Sequence, residues 1–179
     1  MRKIYSIILL TALIIMPFAS GMAVVISDSD KPTQIVSDRF DVYPDKRVAV
    51  FSGNVVVTQE DAVINSDEFF LHYKNKGMKT KQNDENVNTG IATGDIEKIE
   101  ARGNVIIKQK EKVVTGDSAF FYNDEQKVVV TGNPVMKEGN NIIKGDRIIF
   151  FLKENRGVVE SSSTKRVTAT IYPEEKKMK

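Results

Sequence analysis

A Gly-Asn pair occurs three times in this chain, at Gly53, Gly103 and Gly132, and an Asp follows each glycine by fourteen residues, at Asp67, Asp117 and Asp146. No other feature constrains the fold as strongly. Each Asp sits behind a small residue (Ser66, Gly116, Gly145) and ahead of an apolar run, "EFFLHY", "SAFFYN" and "RIIFFL". A fourth Asp, Asp38, precedes Gly53 by 15 residues, as Asp117 precedes Gly132. The repeating unit is therefore 29 residues long and has two halves. A self-similar period of this length marks a fold assembled from copies of one supersecondary unit.

The halves read as strands. Ile99, Ala101, Gly103, Val105 and Ile107 alternate with Lys98, Glu100, Arg102, Asn104 and Lys108. A period of two puts one set on each face of a pleated strand, whereas a helix would scatter both sets around its circumference. Valine, isoleucine and aromatics dominate, as a pleated surface prefers. Fourteen residues fully extended would run about 46 Å, so a turn must separate each Gly-Asn from its Asp. The polar segments "TQEDA", "KQKEK" and "KEGNN" supply those turns, and "YPDK", "NDEQ" and "KENRG" supply the others. The spacing predicts an all-β, up-and-down meander of long antiparallel strands. Each repeated glycine falls on the apolar face, where it marks a bend or a close backbone approach. The interval from Asp67 to Gly103 is 36 residues, 21 more than elsewhere, and its excess "NKGMKTKQNDENVNTGIATGD" reads as a loop or mobile hairpin.

The N-terminus has a different character. Arg2 and Lys3 precede an apolar stretch from Ile4 to Met16, Pro17 ends it, and Ala19, Ser20, Gly21 and Ala23 follow. This is the pattern of a cleavable secretory signal helix over residues 1–23. An uncleaved anchor is the competing reading, because Ile4 to Ile26 holds no charge. Residues 24–34 then form a flexible N-terminal segment, 35–172 the β-domain, and 173–179 a charged tail. Beyond residue 23 the chain carries 24 basic and 24 acidic groups, so it offers no electrostatic footprint for nucleic acid.

Raw material for catalysis is scarce. There is no cysteine, and His72 stands alone on the strand face opposite Phe69, Leu71 and Tyr73. "GDSAF" at Gly116 lacks the second glycine of a nucleophile elbow. The recurring Asp fits a residue that bonds turn backbone. Metal ligands and a catalytic carboxylate pair are the other readings, but nothing in a uniform repeat singles out two carboxyls. No catalytic residue, no metal ligand and no cofactor is assigned.

The Asp-led strands are apolar on both faces: Phe69, Phe70 and Leu71; Phe120, Phe121 and Tyr122; Ile148 through Leu152. A sheet with one wet face alternates more cleanly. Either protein covers both faces, as in a packed sandwich, or one face lines an apolar cavity that holds lipid.

An exported chain built from "FSGNVVVTQEDAVINSDEFFLHY", "KIEARGNVIIKQKEKVVTGDSAFFY" and "VVVTGNPVMKEGNNIIKGDRIIFFL" resembles the OstA-like family of lipopolysaccharide-transport proteins of Gram-negative envelopes. The resemblance runs from about Ile35 to Tyr172. It implies an open, twisted β-jelly roll whose interior carries lipid acyl chains, in the periplasm. It implies lipopolysaccharide as ligand, with an inner-membrane LptC-like protein and an outer-membrane LptD-like translocon as partners, and head-to-tail self-association. On that basis Phe51, Val55, Val57, Phe69, Leu71, Val105, Ile107, Phe121, Met136, Ile148 and Phe150 are expected to line the lipid. Ile35, Val36 and Phe40 of a first strand, Ile35 to Tyr43, would form one assembly edge. Val167, Ala169 and Ile171 of a last strand, Arg166 to Tyr172, would form the other. Three alternatives stand beside this reading: an anchored LptC-like component of the same pathway, a structural β-repeat protein without lipid, and an exported enzyme on a β-scaffold.

Overall fold

A computed structural model of the chain describes residues 31–74 and 96–173. The signal segment, residues 24–30, the inserted 75–95 segment and residues 174–179 lie outside the described residues. Within them the two-residue alternation becomes strand almost throughout. The twelve strands are β1 (Gln34–Val36), β2 (Arg39–Tyr43), β3 (Val48–Gln59), β4 (Ala62–Tyr73), β5 (Ile96–Gln109), β6 (Lys112–Tyr122), β7 (Lys127–Thr131), β8 (Val135–Glu138), β9 (Asn141–Lys144), β10 (Arg147–Phe151), β11 (Arg156–Glu160) and β12 (Thr168–Thr170). One 3₁₀ turn, Pro44–Lys46, joins β2 to β3. All strands belong to one antiparallel sheet, and its first and last strands do not meet. This is the open, twisted β-jelly roll that the sequence led us to expect.

Each repeat half occupies one side of a bend. The four long strands β3 to β6 cross the bend intact, and their register slips there. Later units break at the same line, so β7 continues as β8 and β9 as β10. The sheet thus divides into two half-sheets. On one side of the bend the order is β2-β3-β4-β5-β6-β7-β10-β11. On the other it is β1-β3-β4-β5-β6-β8-β9-β12. Every aromatic strand residue lies on the first side. We call that side the aromatic half and the other the aliphatic half.

The inner faces of the two halves pack on each other. Phe69, Leu71, Ile99, Phe121 and Ile148 of the aromatic half share one apolar cluster with Val55, Val57, Val105, Ile107 and Val114 of the aliphatic half. Each such side chain, fully buried, stabilises the fold by about 1.5–3 kcal/mol. The repeat therefore bends the sheet so that its inner face closes on itself.

The terminal strands differ from expectation. The first strand is not continuous from Ile35 to Tyr43. It breaks at Ser37 and Asp38, because Asp38 serves the bend, and its two pieces pair with opposite halves of β3. The last strand is confined to Thr168–Thr170, so Val167 and Ile171 flank it rather than belong to it.

Candidate functional site

The bend is a bond between repeats. Gly53 and Asn54 both take left-handed backbone angles, with φ of 78° and 47°. Gly103 and Asn104 do the same at 73° and 48°, and Gly132 and Asn133 at 81° and 52°. Glycine and asparagine are the residues that tolerate this conformation. Opposite each pair stands the Asp of the preceding half-repeat. The Asn54 amide donates to the Asp38 carboxylate at 2.8 Å, and Asn104 donates to Asp67 at 2.9 Å. The Asp carboxylates lie so close that a Cβ on Gly53, Gly103 or Gly132 would run into Asp38, Asp67 or Asp117. Two residues on one strand facing one on its neighbour make a bulge, which sharpens twist and bends the strand. The Asp–Asn bond spans strands, whereas the sequence had suggested turn backbone as the Asp's partner. Asp146 has no fourth Gly-Asn, and it takes the Ser162 backbone amide at 2.7 Å and the Lys165 ammonium at 3.2 Å instead. Those bonds, the Ser162 amide first, hold its carboxyl below its ordinary value.

The eleven residues expected to line a lipid all fall on the inner faces. Val55, Val57, Phe69, Leu71, Val105, Ile107, Phe121, Met136 and Ile148 are buried in the one cluster, and Phe51 and Phe150 are half-buried against it. The register explains the convergence. Phe51 faces Phe69, Phe69 faces Ala101, Ala101 faces Ala119, and Ala119 faces Val130 in a single cross-strand row. Sequence reasoning left out Ile64, Ile99, Val114, Val128 and Val130, which belong to the same rows. Extending the alternation one step along each strand would have found them. Among the described residues, the cavity between Ile64 and Ile107 on one side and Phe69, Ile99 and Phe121 on the other measures about 20 Å³. That is room for about one water molecule.

The outer face of the aromatic half explains the second apolar face of the Asp-led strands. Phe70 lies under the Arg102 guanidinium at 4.6 Å, Phe120 under Lys98 at 5.8 Å, Tyr122 under Lys127 at 4.9 Å and Phe151 under Arg156 at 4.1 Å. Cations over aromatic faces are favourable electrostatically and shield the rings from water. In the middle sits Glu100, 3% exposed. It accepts from Arg102 at 2.5 Å and from Lys98 at 3.2 Å. Burial opposes its charge, but those two donors outweigh burial and hold its carboxyl below the usual range. His72 lies beside it with Nε2 3.5 Å from the carboxylate. Burial first, then the nearby Lys98 charge, pushes the His72 imidazole below its ordinary value. His72 is thus part of an outer surface network, on the face the alternation assigned it. The signal for Glu100 was present as Lys-x-Glu-x-Arg on one strand face.

The free edges are β2 and β11 on the aromatic half and β1 and β12 on the aliphatic half. Of the edge residues named from sequence, Val36 is 56% exposed, Phe40 36%, Val167 43% and Ile171 55%. Ile35 is turned inward against the core, Phe40 stacks on Phe51, and Ala169 lies exposed on β12. The edge at β11 was not anticipated: Arg156 and Gly157, assigned from sequence to the turn "KENRG", are instead the first residues of this strand. Among the described residues no group of three or more acidic or histidine side chains converges as a metal site, and no helix is long and apolar enough to cross a membrane.

Comparison with known proteins places this geometry. A model of the family described as LptA/(LptD N-terminal domain) LPS transport protein matches residues 34–156. No curated protein sequence matches the chain. Among 21 solved chains that match is LptH, the LptA-homologous periplasmic component of the conserved lipopolysaccharide transport device of Pseudomonas aeruginosa. It is 16% identical, superposes with a TM-score of 0.61, and the match covers 80% of this chain and 96% of that one. At that identity the likeness is one of fold.

Proposed function

This chain belongs to the LptA/LptD N-terminal-domain family of lipopolysaccharide-transport proteins, and on that premise we propose that it carries or bridges lipopolysaccharide from inner to outer membrane through the interior between its half-sheets. One observation carries the reading. A single apolar cluster runs across both halves of an unclosed sheet, so the interior is bounded by free edges rather than by a sealed barrel. Acyl chains would part the two inner faces and replace their mutual contacts, each buried methylene contributing about 0.8 kcal/mol. No covalent chemistry is needed. The eleven inward residues named above form the lining. The free edges at either end then receive LptC-like and LptD-like partners, or another copy of the chain, by strand addition. Residues 1–23 act as a cleaved signal peptide that delivers residues 24–179 to the periplasm, with 35–172 as the working domain.

Photo-crosslinkers test this. A crosslinker at Val105 or Phe121 labels lipopolysaccharide in cells, and one at the outward, half-buried Ser118 of the aromatic half labels it far less. Asn104 is a poorer control because its side chain holds the bend. Equal labelling at all three positions would remove the interior as the lipid site.

A further inference from the structure

The outer face of the aliphatic half holds a second candidate site. Its two outward rows run Val36, Val56, Asn65, Ile106, Thr115, Val135, Lys144, Thr168 and Gln34, Thr58, Val63, Lys108, Val113, Lys137, Ile142, Thr170. Neither row contains an acid. Three lysines stand there, and three acids of the adjoining turns and strands face other cations: Asp61 faces Lys110, Glu138 faces Lys112 and Asp146 faces Lys165. The aromatic half is the reverse. Its outward cations sit on carboxylates and rings of the same face.

Over β6, β8 and β9 this face is concave. Val113, Thr115, Val135, Lys137, Ile142 and Lys144 enclose a groove of about 310 Å³. The register sets its chemistry. Val135 stands opposite Lys144 and Ile142 opposite Lys137, so the two ammonium groups occupy diagonal corners of an apolar floor. Diagonal positions on paired strands lie about 7–8 Å apart, a span that two flexible lysines close around one phosphate. The volume is at the small end of the range for ligand sites, roughly 300–1,000 Å³. A concave groove of that size fits part of one molecule rather than the plane of a bilayer.

We propose that this groove binds a single anionic amphiphile, with an acyl or similar apolar body on Val113, Val135 and Ile142 and a phosphate against Lys137 and Lys144. The site lies outside the interior, so it is separate from the transport path and does not depend on it. It would hold an amphiphile against the outer wall next to the β12 edge.

The probe is a lysophosphatidylglycerol below its micelle concentration, followed by backbone amide shifts of the isotope-labelled exported domain. Saturable shifts at Val113, Val135 and Ile142 are the expected result. Lys137→Gln combined with Lys144→Gln weakens binding about fivefold to tenfold and leaves the circular dichroism unchanged, since both side chains are exposed. The zwitterionic lysophosphatidylcholine binds more weakly than the anionic probe, and glycerol 3-phosphate, which lacks the apolar body, more weakly still. Four outcomes would overturn the proposal: shifts confined to the inner faces, equal affinity in the double variant, equal affinity for the zwitterionic lipid or the bare phosphate, or binding to phosphatidylglycerol vesicles without binding to the single lipid.

Discussion

The two halves of the roll share strand order, bend line and inward alternation, yet they finish their outer surfaces in opposite ways. The aromatic half stacks rings under its own cations and buries a carboxylate among them. The aliphatic half has no ring and no acid on its outer rows. The difference teaches what the repeat specifies. It fixes the bend and the inner face, because Gly-Asn, Asp and the inward apolar residues depend on one another. The outward positions carry no constraint from the bend, and they differ between the halves.

The largest expected effect sets the inner faces against each other. Phe69→Ala removes a ring that is 0% exposed and should cost about 3–5 kcal/mol. Val105→Ala removes two methyl-sized groups from the aliphatic half and should cost about 2 kcal/mol. Denaturant unfolding measures both. Equal costs would mean that the structure collapses around the Phe69 deletion while the smaller cavity at Val105 stays open.

Next comes the bend itself. Gly103→Ala forces a side chain into left-handed backbone and against the Asp67 carboxylate, for about 2–3 kcal/mol. Gly139 also has positive φ, at 57°, but nothing lies near its absent Cβ. Gly139→Ala therefore reports backbone strain alone, about 1 kcal/mol. If thermal unfolding shows equal losses, the Asp–Gly contact does not hold the bend.

The outer networks give a smaller effect with a pH signature. Glu100→Gln leaves Lys98 and Arg102 facing each other over a buried neutral amide and should cost about 1–2 kcal/mol. Lys144→Gln on the other half should stay within about 0.5 kcal/mol. The folded Glu100 carboxyl lies below its ordinary 4.5, so its contribution is complete above that value and is lost as pH falls through the folded one. The folded His72 imidazole lies below its ordinary 6.5, so acid favours the unfolded chain, which takes up that proton more readily. Wild-type stability should decline as pH drops below 6.5 and again below 4.5. Glu100→Gln should shrink the second decline, to which Asp146 also contributes, and an unchanged acid limb would place the sensitive carboxylate elsewhere.

Much of this molecule was legible in its sequence because the information is periodic. A two-residue alternation assigned the inner face, and the repeated Gly-Asn pairs located the bends at Gly53, Gly103 and Gly132. The Asp–Asn bonds were not legible, since Asp67 and Asn104 are 37 residues apart and spacing alone does not say which repeat half faces which. The split of the first strand was missed for the same reason: Asp38 was recognised as a repeat element, but its role as a bend residue with a backbone bond to Gly53 was not inferred. The eleven residues expected to line a lipid lie on the inner faces, yet how tightly the halves close is a property of packing volumes that no single strand encodes. The outer groove depends on lateral register among β6, β8 and β9, and that too is invisible strand by strand.

The smallest effect on stability and the sharpest on assembly is expected at β12. The Tyr172 amide donates to the Asn141 side chain at 2.9 Å, on the β9 side. Amides two residues apart along a strand point the same way, so those of Thr170 and Thr168 also face β9, and that of Ala169 faces the open edge. Both threonines therefore share one parity, and Ala169 is the position that can donate to an incoming strand. Proline removes a donor and is tolerated on the open side of an edge strand. Ala169→Pro should change stability by no more than about 0.5 kcal/mol while weakening head-to-tail association. Thr170→Pro should instead strip β12 from β9. Sedimentation velocity at several concentrations, with circular dichroism alongside, distinguishes the two. If Ala169→Pro folds and self-associates like the wild type, docking does not use the aliphatic edge. The remaining C-terminal edge is then β11 of the aromatic half, whose outward Arg147–Glu160 pair would have to accommodate the partner.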